Sequence, residues 1–285
     1  GLRSDRDQFA FIIPYVRFRQ DGAEGEPLLA PGTRLRAPQL ALLAAQGLGM
    51  VTVRRRPVVA IVSTGSELRK PGAALTRGAL FDSNRPMLMA LAAEAGFVVV
   101  DGGCLPDDAA LLATRLGELA READLVVTSA GASVGDEDNS FRAAKAAGFT
   151  CEALRIAIKP GKPAVVGRKD RTAYLGLPGN PFSAFLSWRI LGGAVRAALC
   201  GGRWQRPKGI PIAAANRFGH KPGRTEFTPA RLLFHEGRAS VELLGHGVSG
   251  HLKPLAMADG LAEIDADSGP VSAGDVISFH PFCAA

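Results

Sequence analysis

Two lysines flank a tight turn in the segment KPGKP, at Lys159 and Lys162. The two prolines of this segment fix backbone φ angles, so both lysine side chains start from a restricted backbone. Two ammonium groups held close together suit a phosphate or another tetrahedral oxyanion. A solvated turn with incidental lysines is the alternative, and the double proline favours the anion site.

A second loop, residues 129–138, combines small residues with the acids Asp136, Glu137 and Asp138. The N–H groups of such a loop, leading into a helix N-terminus, can form an anion-binding nest. The three acids could hold a divalent cation that bridges to a phosphate. They could equally cap the helix expected from Asn139, and the loop alone does not decide between the two.

Two further loops place polar groups at the end of an apolar run. In GLPGNPFSA, Asn180 suits a helix cap and Pro181 the first helical position. The helix N-terminus would then present N–H groups to an anion, with Ser183 in its first turn. In STGSEL, Glu67 stands just past a buried strand and could line a site. The alternatives are an ordinary capped turn and a carboxylate that faces water.

Strands and helices alternate from residue 57 to residue 200. The apolar run VVAIVS is typical of a buried strand, and FVVVDG, DLVVTS, PAVVGR and TAYLGL continue the series. Segments of helical periodicity separate most of these runs, and a long helix over residues 182–199 closes the region. This pattern predicts an α/β fold with a mostly parallel sheet covered by helices on both faces. Ligands bind such sheets at the carboxyl ends of the strands, where the loops STGSE, TSAGASVGDED and PGNP lie.

We expect three regions along the chain. Residues 1–56 are interpreted as a remnant of N-terminal or linker domains, with PLLAPGTRL as a turn between short strands and a helix over residues 37–51 that ends at Gly47 or Gly49. Residues 57–203 form the α/β domain. Residues 207–285 lose helical periodicity, and their short β-like runs between Gly, Pro and Asp predict a small barrel-like β domain.

Composition narrows the functional class. The 285 residues are 47% hydrophobic, enough to bury a core, and no apolar run is long enough to span a bilayer. The four cysteines are far apart and form no CxxC pair, which favours a reducing compartment, the cytoplasm. The five histidines show no metal-ligand spacing and are given no role. The net charge of +7 comes from scattered Lys and Arg, which favours an anion pocket over a nucleic-acid surface.

The order of the motifs is more specific than any one of them. STGSEL, DSN, a DD pair after a strand, TSAGASVGDED, KPGKP and GLPGNPFSA together resemble the molybdopterin molybdenumtransferase family, which includes the E domain of gephyrin. GRTEF and SGHLKPLAMADGLAEI resemble the C-terminal β domain of that family. The resemblance implies a role in molybdenum cofactor biosynthesis. Molybdenum from molybdate would be inserted into adenylylated molybdopterin, with release of AMP and support from Mg²⁺.

The same resemblance implies roles for particular residues. It implies four catalytic residues, which are Glu67, Asp107, Asp138 and Lys159, and two of them, Glu67 and Asp138, would hold Mg²⁺. It implies five substrate-binding residues, which are Arg155, Lys162, Ser183, Arg224 and Ser249. The expected partners are adenylylated molybdopterin and molybdate, with no nucleic acid and no membrane, and the full-length protein is expected to be a homodimer.

The sequence departs from the family pattern at three points. Ser66 stands where the family usually has Asp, and Ala130 stands where it usually has Gly. The acidic N-terminal motif that normally supports dimerisation and completes the site is not found. Two alternatives therefore stay open: a protein that only binds or adenylylates molybdopterin, and a non-catalytic scaffold with a degenerate site.

Overall fold

The computed structural model describes residues 8–10, 23–130, 139–161, 164–245 and 252–282. The helices in these ranges are α1 Ala37–Ala45, α2 Asn84–Glu94, α3 Ala109–Leu119, α4 Asn139–Ala146, α5 Pro181–Leu199 and α6 Leu252–Ala256. The strands are β1 Gln8–Ala10, β2 Arg34–Leu35, β3 Val53–Arg54, β4 Val58–Thr64, β5 Leu68–Arg69, β6 Leu80–Phe81, β7 Val98–Leu105, β8 Leu125–Ala130, β9 Thr150–Leu154, β10 Ile158–Lys159, β11 Ala164–Lys169, β12 Thr172–Leu177, β13 Ile210–Ala214, β14 Thr225–His235, β15 Arg238–Leu243, β16 Gly260–Ile264 and β17 Val276–Pro281.

A six-stranded sheet forms the centre of the α/β region, in the order β7-β4-β8-β12-β11-β9. Strands β7, β4, β8 and β12 run parallel to one another, and β11 is antiparallel to both β12 and β9. The run VVAIV in β4 is apolar throughout because a central parallel strand is buried on both faces.

Helices cover both faces of this sheet. Successive side chains of β4 point to opposite faces, so Ala60 and Val62 pack with α3 and α4, while Val59 and Ile61 pack with α2 and α5. Each fully buried Leu or Phe side chain in these layers stabilises the fold by roughly 1.5–3 kcal/mol. The expected α/β fold with a mostly parallel, doubly covered sheet is confirmed.

The C-terminal region is a closed barrel. Its strands follow the order β14-β15-β13-β17-β16, and pairing of β16 with β14 closes the ring. Ala230, Val241 and Phe279 lie in its buried core. The barrel confirms the expected β domain, and its longest strand is β14. Pro229 interrupts that strand's sequence, and proline inside an apolar run argues against a strand.

The barrel and the α/β region share a sheet edge and an apolar contact. Strand β10 pairs parallel with β14 and so joins the barrel sheet. Beside this pair, Phe182 and Phe185 of α5 pack against Phe227 and Leu261 of the barrel. The N-terminal half of α5 is thereby fixed against the barrel, at the end of the sheet where β12 finishes.

The N-terminal segment forms a small separate sheet, in the order β2-β1-β3. Helix α1 lies beside it, with Leu43 fully buried and Gly47 ending the helix at a positive φ of 71°. Within the described ranges, no helix is both long and apolar enough to cross a membrane.

Candidate functional site at the carboxyl edge of the central sheet

The loops with candidate residues open on one edge of the central sheet. Thr64 at the end of β4 lies opposite Leu105 of β7 and Ala130 of β8, and Ser129 lies opposite Leu177 at the end of β12. At the other side of the sheet, Leu154 ends β9 opposite the first residue of β11. The segments that follow these strands carry the predicted residues Glu67, Asp107, Arg155 and Ser183 to this edge.

Glu67 and Asp107 project from neighbouring strand ends. Glu67 is half-buried, and a Cβ added at Gly65 would lie 2.8 Å from its Oε1, so the carboxylate folds back over that glycine. Asp107 is exposed, and its Oδ2 accepts a 3.4 Å hydrogen bond from the N–H of Ser66. Within the described part of the chain, neither carboxylate forms an ion pair, so both are available to a cation or a ligand donor.

The two acids of the DD pair have different roles in the structure. Asp108 caps α3, with its carboxylate accepting from the N–H groups of Ala110 and Leu111. Asp107 turns instead toward the loop after β4, where its own N–H donates to Ser66 Oγ over 3.1 Å. Ser66, which replaces the usual family Asp, therefore ties the loops after β4 and β7 together.

A buried ion-pair network supports this edge from below. Asp82, which is 1% exposed, accepts from Ser63 Oγ at the end of β4 over 3.0 Å and from Arg85 Nε over 2.9 Å. Arg85 continues to Asp101 of β7, with 2.6 Å between its Nη1 and Asp101 Oδ1. Burial opposes ionisation of Asp101, but hydrogen bonds from Arg85 and from the N–H of Gly103 hold the pKa of this carboxyl below its usual value. The network fixes the start of α2 against the end of β4 and the middle of β7.

Asn84, the first residue of α2, joins two other strand ends. Its Nδ2 donates to Ser129 Oγ of β8 over 2.8 Å and to the carbonyl of Gly179, after β12, over 2.7 Å. Because the Gly179 carbonyl can only accept, the amide orientation is fixed. The buried Oδ1 has no hydrogen-bond partner among the described residues.

The N-terminus of α5 is more restricted than the sequence suggests. Asn180 caps the helix as predicted, with its Oδ1 accepting from the N–H of Ser183 over 3.1 Å. The N–H of Ala184 donates to the Asn180 carbonyl, and Pro181 has no N–H. In the described first turn this leaves the N–H of Phe182 for an anion. Ser183 itself is 5% exposed.

Strand pairing brings Lys159 and Arg224 to the same place. Ile158 and Lys159 of β10 lie opposite Thr225 and Glu226 of β14, and the N–H of Thr225 donates to the Ala157 carbonyl over 3.1 Å. The exposed Arg224 immediately precedes this pair. Lys159 Nζ lies 2.9 Å from Glu226 Oε1. The barrel therefore contributes charged groups beside the KPGKP segment, which connects β9 to β11 of the central sheet.

Three predicted residues, Asp138, Lys162 and Ser249, lie outside the described residues, as do Asp136 and Glu137. Among the residues that are described, no group of three His, Cys, Asp or Glu side chains is arranged to hold a metal ion. Of the two acids expected to hold Mg²⁺, Glu67 has the required chemistry: a carboxylate without an ion-pair partner, at the ligand edge.

Comparison with known proteins identifies the family. Residues 60–197 match the family model described as the probable molybdopterin binding domain, and residues 211–282 match the MoeA C-terminal region, domain IV. The molybdopterin molybdenumtransferase of Haemophilus influenzae is 31% identical over 268 residues, which cover 93% of this chain and 66% of that protein. Molybdopterin molybdenumtransferase 2 of Mycobacterium tuberculosis is 35% identical over 264 residues, covering 90% of this chain and 64% of the relative.

The chain belongs to the molybdopterin molybdenumtransferase family. The solved structure of the MoeA molybdopterin biosynthesis protein from Pyrococcus horikoshii agrees, with a TM-score of 0.73 and 26% identity over 93% of this chain. The chain spans about two thirds of the length of these curated relatives and 64% of that solved chain.

Several residues of this edge were not found by sequence reasoning. Within the DSN motif, Asp82 accepts from the N–H of Arg85 at the start of α2, while Ser83 makes no side-chain cap. No role was assigned to His220, which is buried and lies 2.8 Å from Glu226. One feature of the sequence could have pointed to His220: it lies three residues before Gly223, the first residue of the GRTEF motif. The roles of the individual site residues stay predictions.

Proposed function

We propose that this protein inserts molybdenum from molybdate into adenylylated molybdopterin and releases AMP, as the names of its curated relatives suggest for part of this reaction. One observation carries the proposal. The carboxyl edge of the sheet gathers two carboxylates, Glu67 and Asp107, from the loops after β4 and β7; at the barrel side, pairing of β10 with β14 adds Lys159 and, just before β14, Arg224.

The charges at this edge suit the substrates. Molybdate and the adenylate phosphate are anions, and Lys159, Arg155 and Arg224 supply cationic donors toward them. We propose that Lys162, Ser183 and Ser249 complete the molybdate contacts.

The carboxylates suit a metal ion as well as the pterin. We propose that Glu67 and Asp138 provide oxygen ligands for Mg²⁺, which would neutralise charge on the adenylate phosphate. Asp107 would act beside them, oriented by its reciprocal hydrogen bonds with Ser66. We further propose that the whole protein works as a homodimer in the cytoplasm.

A cofactor-reconstitution assay tests the function. Purified protein is mixed with adenylylated molybdopterin, molybdate and Mg²⁺, and AMP release and active cofactor are measured. We expect Lys159→Ala and Glu67→Gln each to reduce insertion at least about a hundredfold, the size of loss that follows removal of a group positioned for the reaction. The matched controls Lys208→Ala and Glu94→Gln remove exposed charges that are not among the predicted site residues, and they should retain full activity.

The same assay separates the alternatives. Formation of adenylylated molybdopterin from ATP, without molybdenum insertion, would favour an adenylylating protein. Binding of molybdopterin with no turnover in either direction would favour a scaffold. Equal insertion by wild type, Lys159→Ala and Glu67→Gln would refute the proposed site.

A further inference from the structure

A buried chain of three charged or polar groups ends at Lys159. Glu226, on the second residue of β14, is 4% exposed and uses both carboxylate oxygens. Its Oε1 lies 2.9 Å from Lys159 Nζ, and its Oε2 lies 2.8 Å from His220 Nδ1. The His220 side chain is fully buried, whereas that of Lys159 is 44% exposed. This series of contacts thus runs from the buried His220 to the partly exposed Lys159, beside the candidate site.

The hydrogen-bonding pattern fixes the roles of the three groups. A carboxylate only accepts, so His220 Nδ1 must carry the proton that it donates to Glu226. The other nitrogen, Nε2, is buried and has no partner among the described residues. Glu226 and Lys159 balance each other's charge.

We infer that Glu226 is the positioning residue for Lys159, and that His220 fixes Glu226 in turn. This inference rests on the proposed function, because it assigns Lys159 to the anionic substrate. An ammonium group has three N–H donors. One of them is bound to Glu226, which leaves two donors in set directions for molybdate or phosphate. A lysine without this anchor would sample many rotamers.

The surroundings of the pair strengthen its effect. Ile158 precedes Lys159 and packs with Phe182 and Phe227 in the apolar contact between α5 and the barrel. Glu226 is 4% exposed, so its charge-assisted hydrogen bond to Lys159 forms at a carboxylate that is shielded from water. Backbone pairing of β10 with β14 also fixes the Cα positions of Lys159 and Glu226 relative to each other.

A double-mutant cycle tests the positioning role. Glu226→Gln keeps size and shape while it removes the charge, and we expect kcat/KM for molybdate to fall about tenfold to a hundredfold, as for a misplaced reacting group. The KM for adenylylated molybdopterin should stay unchanged. In the Lys159→Ala background, Glu226→Gln should have no further effect. An equal loss in both backgrounds would show that Glu226 acts elsewhere and would overturn the inference.

A labelling experiment gives a readout that does not need turnover. Acetylation of Lys159 by acetic anhydride is followed by mass spectrometry, with the exposed Lys208 as the internal reference. We expect Lys159 to react severalfold faster in Glu226→Gln than in wild type, because its nitrogen is released. The control Glu242→Gln removes an acid on the adjacent barrel strand, paired with Arg231, and should leave the rate unchanged.

The two readouts separate this inference from the proposed function. An unchanged Lys159 acetylation rate in Glu226→Gln would overturn the positioning role, whether or not the protein inserts molybdenum. A faster rate with no insertion by wild type would support the positioning role and count against the proposed function alone. The role of His220 can be tested in the same way. We expect Lys159 to be acetylated more slowly in His220→Asn, which keeps an N–H donor for Glu226, than in His220→Leu, which does not. Equal rates would limit His220 to packing.

Discussion

Replacing Asp82 should destabilise the α/β domain strongly, even though Asp82 is not among the predicted catalytic residues. Asp82 is 1% exposed and Arg85 is 8% exposed, so the pair is shielded from water. Removal of one partner of a buried ion pair costs about 3–5 kcal/mol, because the other charge stays buried without compensation. In Asp82→Asn, Arg85 keeps its bond to Asp101, whose side chain is 50% exposed. We therefore expect the lower end of the range, about 3 kcal/mol.

The free energy of unfolding can be measured by urea titration with tryptophan fluorescence. Trp188 is buried in the layer that contains α2 and α5, whereas Trp204 is 40% exposed. A Trp204→Phe background therefore reports on the α/β domain alone. For a domain of this size, a loss of about 3 kcal/mol corresponds to a decrease in Tm of roughly 6–12 °C.

Two companion variants make the test specific. Asp101→Asn removes the exposed partner of Arg85 and should cost less than about 1 kcal/mol, as surface ion pairs do. The double variant Asp82→Asn with Arg85→Met leaves no buried charge, so it should be more stable than Asp82→Asn alone. The reasoning is refuted if Asp82→Asn costs no more than Asp101→Asn, or if the double variant is the least stable of the three.

Two further predictions concern stability. Asn180→Ala should destabilise the protein by about 1 kcal/mol through loss of the α5 cap, while Asn180→Asp should keep the stability and weaken molybdate binding by repulsion, as urea titration and equilibrium dialysis would show. Asp124 is partly buried, which opposes its ionisation, but hydrogen bonds from Arg55 and the Val58 N–H hold its pKa below the usual value. A lowered pKa contributes stability above the unfolded pKa of about 3.9, and that stability is lost as the pH falls through the folded value. The stability difference between wild type and Asp124→Asn, measured by urea titration from pH 7 to pH 3, should therefore shrink below about pH 4; a constant difference would contradict this account.

The sequence predicts the α/β fold because its signals are local. Buried parallel strands need apolar runs, and β4 and β8 show them without interruption. Helix caps are equally local, and Asn180 and Pro181 stand where the structure uses them. Strand β14 is harder to predict from the sequence because Pro229 lies in its middle. In the barrel, the carbonyl of Pro229 still accepts from Leu244, so the strand tolerates the missing donor.

The contacts of the site depend on pairings that no local pattern encodes. Glu226 meets Lys159 only because β10 pairs with β14, which are far apart in the chain. Asn84 reaches Ser129 and Gly179 only after three separate segments have converged on the sheet edge. Family resemblance supplied the candidate residues in advance, but not the groups that orient them, because those groups are defined by distance in the fold.

The barrel is best understood as part of the site rather than as an appendage. Strand β10 lies between β9 and β11 of the α/β region, yet its backbone partner is β14 of the barrel. Phe227, next to Glu226, is buried against Phe182 in the first turn of α5. The same two barrel residues therefore fix a cation and a helix N-terminus, one through charge and the other through packing. Because tightly packed interiors transmit small displacements, a shift of β14 would move Lys159 and the start of α5 together. The two elements proposed to bind the anions are thus held at a fixed spacing, and the double-mutant cycle between Glu226 and Lys159 tests the contribution of Lys159 to this arrangement.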